Sequence, residues 1–116
     1  MTMGRLEAVG GDNWRDFVGA PVAVLVLGKT TCPACQSYTE ELEAFLGEEH
    51  PWRAVRFGKM LLDERGLADF KRASPWLAEV DDLPFTQIYR VGERWKDFVG
   101  GGIDRLRRRL EMLPAS

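Results

Sequence analysis

At 116 residues, 45% of them hydrophobic and 29% charged, the chain has the size and composition of one globular domain able to bury a core. A formal net charge of −2 leaves no basic surplus for a polyanion, so no nucleic-acid partner is expected. The longest apolar stretch, residues 21–27, falls far short of the ~20 residues that span a bilayer. The first residues lack the apolar core of a secretory signal, and the expectation is a cytoplasmic protein with no membrane attachment.

Residues 1–11, with Gly4, Gly10 and Gly11, read as a loose N-terminal leader, and residues 12–116 as the domain. Asp12 or Asn13 can cap a short helix whose Trp14, Phe17 and Val18 recur at i, i+3 and i+4. Residues 22–27 are apolar on both faces, as in a central strand covered by helices on each side. Residues 36–46 then show helical spacing, with Tyr38, Leu42, Phe45 and Leu46 inward and Glu40, Glu41 and Glu43 outward; Gly47 fits the C-cap. Residues 53–57 are a second strand, and the helix between makes a right-handed βαβ unit. A helix over 63–72 buries Leu67 and Phe70. Ser74 and Pro75 open a short turn through Trp76, Leu77 and Val80, which Asp81 and Asp82 end. Pro84 precedes a strand at 85–91, Gly92 and Glu93 turn the chain, and 94–99 returns antiparallel. After Gly100, Gly101 and Gly102, Asp104 caps a last helix. It turns Leu106, Leu110 and Leu113 inward and Arg105, Arg107, Arg108 and Arg109 outward.

The chain's two cysteines, Cys32 and Cys35, fall where the first long strand turns into a helix. A thiolate is the nucleophile of disulfide exchange, and an ordinary thiol of pKa ~8.5 supplies little of it at neutral pH. At the N-cap, Cys32 faces unpaired backbone N–H groups and the positive end of the helix dipole, where thiol pKa values drop to about 3.5–7.5. Pro33 at the first helical position has no N–H to leave unpaired and a φ already helical. Cys35 stands one turn on, and a non-helical backbone at Cys32 brings the two sulfurs within bonding range. Three other readings stand beside a redox-active dithiol. A structural disulfide here closes too small a loop to restrain the unfolded chain much. A zinc site needs four ligands, and beyond this pair the chain has one histidine, His50. Two thiols can also simply be small buried apolar groups.

The 22–27 strand, Cys32-Pro33-Ala34-Cys35, Leu83-Pro84-Phe85-Thr86 before a strand, the Val91-Gly92-Glu93 turn and Gly100 before the last helix together resemble the thioredoxin superfamily over residues 12–113. The resemblance implies an α/β, thioredoxin-like fold: a central mixed β-sheet flanked by helices. It implies a thiol–disulfide oxidoreductase in which Cys32 attacks and Cys35, more buried, resolves the mixed disulfide. It further implies a cis peptide before Pro84, with the Leu83 backbone facing the cysteine pair. Thr31, Pro33, Ala34, Leu83 and Pro84 then wall a groove for an extended substrate chain. The partners implied are protein disulfides or thiols and a reductase or small-thiol reductant; no cofactor or metal is required, and a monomer is expected.

The chain departs from typical thioredoxins at Thr31, where they carry Trp, and at Pro33-Ala34, where they carry Gly-Pro. Val26 stands where they bury a carboxylate that helps the second cysteine lose its proton. Lys59 and Asp63 keep the family's Lys-x-x-x-Asp spacing, which makes Lys59 a candidate for proton-transfer support. Cys-Pro-x-Cys also resembles glutaredoxins, so a glutathione-linked or iron–sulfur-binding module is the alternative, with Lys29 as one basic residue for glutathione. A thioredoxin-fold interaction domain is a third reading. Trp76 is read as part of a substrate-specific rim.

Overall fold

The computed structural model describes residues 6–114. Five strands form one sheet: β1 (Glu7–Ala8), β2 (Ala23–Gly28), β3 (Arg56–Leu61), β4 (Phe85–Arg90) and β5 (Glu93–Val99), in the spatial order β1-β3-β2-β4-β5. β1, β3 and β2 run parallel, while β4 runs antiparallel to both β2 and β5. The helices are α1 (Trp14–Val18), α2 (Pro33–Leu46), α3 (Ala68–Ala73) and α4 (Ile103–Leu110), with a 3-10 turn at Pro75–Glu79.

Every residue of β2 is buried, because the sheet is covered on both faces. Leu25 and Leu27 meet Phe17 of α1 and Phe70 of α3, whereas Val24 and Val26 meet Tyr38 and Leu42 of α2 and Leu106 and Leu110 of α4. The hydrophobic stripes read from the sequence of α1, α2 and α4 are these same contacts.

The leader reading of residues 1–11 needs correction. Residues 1–5 lie outside the described residues, but Glu7 and Ala8 pair with Gly58 and Lys59 as an edge strand, and Val9 is buried. Arg56 fastens this edge: its guanidinium grips the Glu7 carboxylate at 2.6 and 2.9 Å and the Asp16 carboxylate at 3.0 Å. These partners, far apart in sequence, leave no periodic trace in a short, glycine-flanked segment.

Three boundaries also move. The strand expected at 53–57 runs Arg56–Leu61, since Val55 N–H closes a turn onto Trp52 O and delays it. The helix expected at 63–72 begins only at Ala68, because Asp63 is engaged with Thr30. The last helix is capped by Gly102, not Asp104, and of its arginines Arg105 and Arg109 lie half-buried over the Phe98 ring.

Candidate functional site

β2 delivers the chain to the site and α2 leads it away. Cys32 is the N-cap of α2, with extended backbone (φ −113°, ψ 100°), and Pro33 occupies the first turn. Cys35 N–H donates to Cys32 Sγ at 3.1 Å, so the sulfur sits on a helix amide as well as at the helix's positive end. The two cysteines form a disulfide with Cα atoms 5.2 Å apart. Cys32 is half-buried, Cys35 is 4% exposed, and Thr31, Pro33 and Ala34 are exposed around them. Cys32 is thus the less covered of the two, and Cys35 is sheltered.

Cys35 rests against the end of β2 because residue 28 is glycine. A Cβ there would lie 3.1 Å from Cys35 Cβ and 3.2 Å from its Sγ. The loop before the cysteines is held from the far side of the crossover: the Asp63 carboxylate accepts the Thr30 hydroxyl at 2.5 Å and the Thr30 N–H at 3.2 Å. That hydroxyl bond holds the Asp63 carboxyl below the usual carboxylate range. Sequence reasoning placed neither Gly28 nor the Thr30–Asp63 bridge in the site; Asp63 was singled out by its spacing from Lys59 alone.

The Leu83–Pro84 peptide is cis. Pro84 is buried, and its carbonyl accepts Gly100 N–H at 2.8 Å. The β2–β4 register pairs Leu27 with Phe85; continued one step, it sets Pro84 opposite Gly28 and so brings it to the cysteine end of the sheet. Leu83 is half-buried beside it. Trp76 reaches the same end, tilted against Phe85 with ring centroids 5.9 Å apart. The Arg94 guanidinium lies 4.1 Å over the Trp76 ring and is itself held by buried Gln87 Oε1 at 2.7 Å.

Behind Cys35 a cleft of about 440 Å³ opens between α2 and β3, walled by Val26, Thr39, Glu43 and Lys59 among others. Lys59 is half-buried and pairs in register with Val26. The structure therefore brings Cys32, Cys35, Thr31, Pro33, Ala34, Leu83 and Pro84 to one end of the sheet, and sets Lys59 on the cleft behind. Among the described residues, no group of three or more His, Cys, Asp or Glu side chains is placed to hold a metal, and no helix is long and apolar enough to cross a membrane.

Spinach chloroplast thioredoxin f, in its short form, matches this structure with a TM-score of 0.74 at 18% identity, over 96% of this chain and 95% of its own. Thioredoxin of Malassezia sympodialis matches with a TM-score of 0.75 at 17% identity, over 96% and 92% of the two chains. The fold is that of thioredoxin. A thioredoxin from Trypanosoma brucei brucei extends the same likeness, at a TM-score of 0.73 and 19% identity over 94% of this chain and 90% of its own. No protein-family model matches the sequence, and no curated protein matches it. At such identities the likeness is one of fold. In this chain the end of β2, the N-terminus of α2 and the cis Leu83–Pro84 peptide lie at one end of the sheet, where Cys32 caps the helix.

Proposed function

We propose that the chain is a thiol–disulfide oxidoreductase acting on protein disulfides through Cys32 and Cys35. One observation carries the reading: the sulfur of half-buried Cys32 is the helix cap, in contact with a helix amide, and the sulfur of buried Cys35 is bonded to it from one turn below. Amide and dipole stabilise the Cys32 thiolate, so in the reduced protein it is the attacking group. It forms a bond to one sulfur of a substrate disulfide while the other substrate sulfur leaves with the electron pair. The Cys35 thiolate then attacks Cys32 Sγ, the Cys32–substrate bond breaks, and the substrate departs fully reduced. What remains is the Cys32–Cys35 disulfide of the present structure, and two electrons have passed to the substrate.

Thr31, Pro33, Ala34, Leu83 and Pro84 form the walls against which the substrate chain lies, with Trp76 at the rim. Leu83 precedes β4, so its backbone groups suit β-type pairing with an extended segment. Lys59 supports the proton balance of Cys35. The reaction uses no cofactor, because the electrons travel in the sulfurs. A reductase or small thiol must return the pair to the reduced state. A similar solved structure is a complex of ferredoxin:thioredoxin reductase with thioredoxin f2, and a reductase partner of that general kind is the expectation here. The proposed setting is a monomer in the cytoplasm, where thiols are kept reduced.

The test is insulin reduction driven by dithiothreitol, run beside a glutathione mixed-disulfide assay. The expected result is turnover in the first, abolished in Cys32→Ser. In Cys35→Ser, a stable covalent adduct between Cys32 and the substrate accumulates, visible by mass. Adducts that form through Cys35 in Cys32→Ser reverse the roles and overturn the assignment. Activity confined to glutathione mixed disulfides, and needing Cys32 alone, replaces this reading with a glutaredoxin-type one.

A further inference from the structure

β5 is an edge strand, so one row of its backbone N–H and C=O groups faces no other strand of the sheet. Beside that edge, β5 and α4 frame a groove of about 460 Å³ lined by Trp95, Lys96, Asp97, Arg108, Arg109 and Met112. The cations around it are held on aromatic rings. The Arg105 and Arg109 guanidiniums lie 4.9 and 4.7 Å from the centre of the Phe98 ring. Arg90 and Lys96 lie 5.6 and 5.1 Å from the centre of the Trp95 ring. Among the described residues, none of these cations, nor Arg108, forms a salt bridge. Asp97 is turned to Arg94, 3.4 Å away, and Glu93, Asp104 and Glu111 lie nearby without pairing with them.

The net charge of the chain is −2, so this concentration of positive charge is local. Like charges gathered on one face repel, and a partner that brings carboxylates relieves the repulsion. Two observations favour an extended peptide over a nucleic acid. Trp95 packs against the core with two cations over its ring, and Phe98 is 4% exposed, which leaves no clear ring face for a base to stack on. The open edge, by contrast, offers main-chain hydrogen bonds that another peptide backbone completes. Strand side chains alternate between faces. Lys96 pairs with Ile88 on the face covered by α2 and α4, whereas Val99 pairs with Phe85 on the opposite face and is 43% exposed. The complementary segment therefore carries acidic residues at every second position, with apolar ones between them.

We propose that β5 and α4 form a docking surface for an acidic, extended segment of a partner protein. The segment adds to the sheet as a strand beside β5, with its carboxylates against Lys96, Arg108 and Arg109 and an apolar side chain against Val99. The cysteines take no part in this contact, so its test is independent of the oxidoreductase reading.

The test follows the fluorescence anisotropy of a short labelled peptide of alternating glutamate and valine, titrated with the oxidised protein. Saturable binding is expected, weakened by salt as charge contacts are screened. The same peptide with lysine in place of glutamate is expected not to bind. Arg108→Gln combined with Arg109→Gln removes two ion pairs and is expected to weaken binding about 10-fold. Arg53→Gln, a basic residue paired with Glu49 elsewhere on the surface, leaves binding unchanged. Should the double variant prove unstable, the comparison of peptides on the unmodified protein still decides the matter. Absence of saturable binding overturns the proposal, as does binding that the double variant leaves intact. Equal binding by a peptide with proline in place of valine overturns the added strand, because proline lacks the N–H groups it needs. Tighter binding of an oligothymidylate of equal length gives the surface to nucleic acid instead, and dimerisation that competes with the peptide gives it to a second copy of the chain; either result overturns the proposal.

Discussion

A single hydrogen atom at residue 28 decides how closely the Cys35 sulfur can lie against the sheet. Replacing Gly28 by Ala puts a methyl group 3.1–3.2 Å from the Cys35 side chain, which the disulfide and the helix hold from the other side. Overpacking of this kind costs about 1–3 kcal/mol. Gly28→Ala is therefore expected to lower the urea midpoint of the oxidised protein, and to do so less after reduction, when the Cys35 sulfur is freed to shift; equal losses in both states would show that the contact is not the cause. At the same scale Asp63 ties down the backbone just ahead of the cysteines. The cysteine pair at a helix cap was legible from Cys32, Pro33 and Cys35 alone, because capping chemistry is local. Gly28 and Thr30 were not, since each matters through a residue that only the fold brings near.

Elements repeat that division. The buried stripes of α1 and α2 follow from 3.6-residue spacing, and β2 from an unbroken apolar run, so their existence was readable before any contact was known. Their ends were less so, because ends depend on what each backbone group meets. The β4–β5 hairpin shows both. Its tight turn was expected, but it is built on Val91 (φ 51°) and Gly92 (φ 83°), not on Gly92 and Glu93. A turn with positive φ at both central positions suits Asn-Gly, and a β-branched residue in the left-handed region is strained by about 1–2 kcal/mol. Val91 is 72% exposed and packs against little. Val91→Asn is thus expected to raise the thermal midpoint by about 4 °C or more, read by calorimetry, while the Val91 and Gly92 N–H bonds to Ala20 and Val18 persist. No rise would mean that the valine side chain contributes a contact which offsets the strain.

For the molecule as a whole, the burial that makes the core also sets its alkaline limit. Burial pushes the Tyr89 phenol up to about 12, against the pull of Arg94, and raises Tyr38 as well. An unfolded tyrosine ionises near pH 10, so above that pH the unfolded chain has released a proton the native state still holds. Stability is complete below about pH 10 and falls as pH rises toward 12, by roughly 2–3 kcal/mol for Tyr89. Urea midpoints between pH 9 and 12 should show this decline, and Tyr89→Phe should flatten much of it; an unchanged slope would place the titration elsewhere. By itself the sequence determined the strand–helix order, the inward faces and the dithiol at a helix cap, because periodicity and capping act within a few residues. Only the tertiary structure decided that Glu7 reaches Arg56 to add an edge strand, that Asp63 steadies Thr30, and that Lys59 and Glu43 share a cleft with Cys35. Those pairings join positions distant along the chain, and their energies exist only once the sheet has set its register.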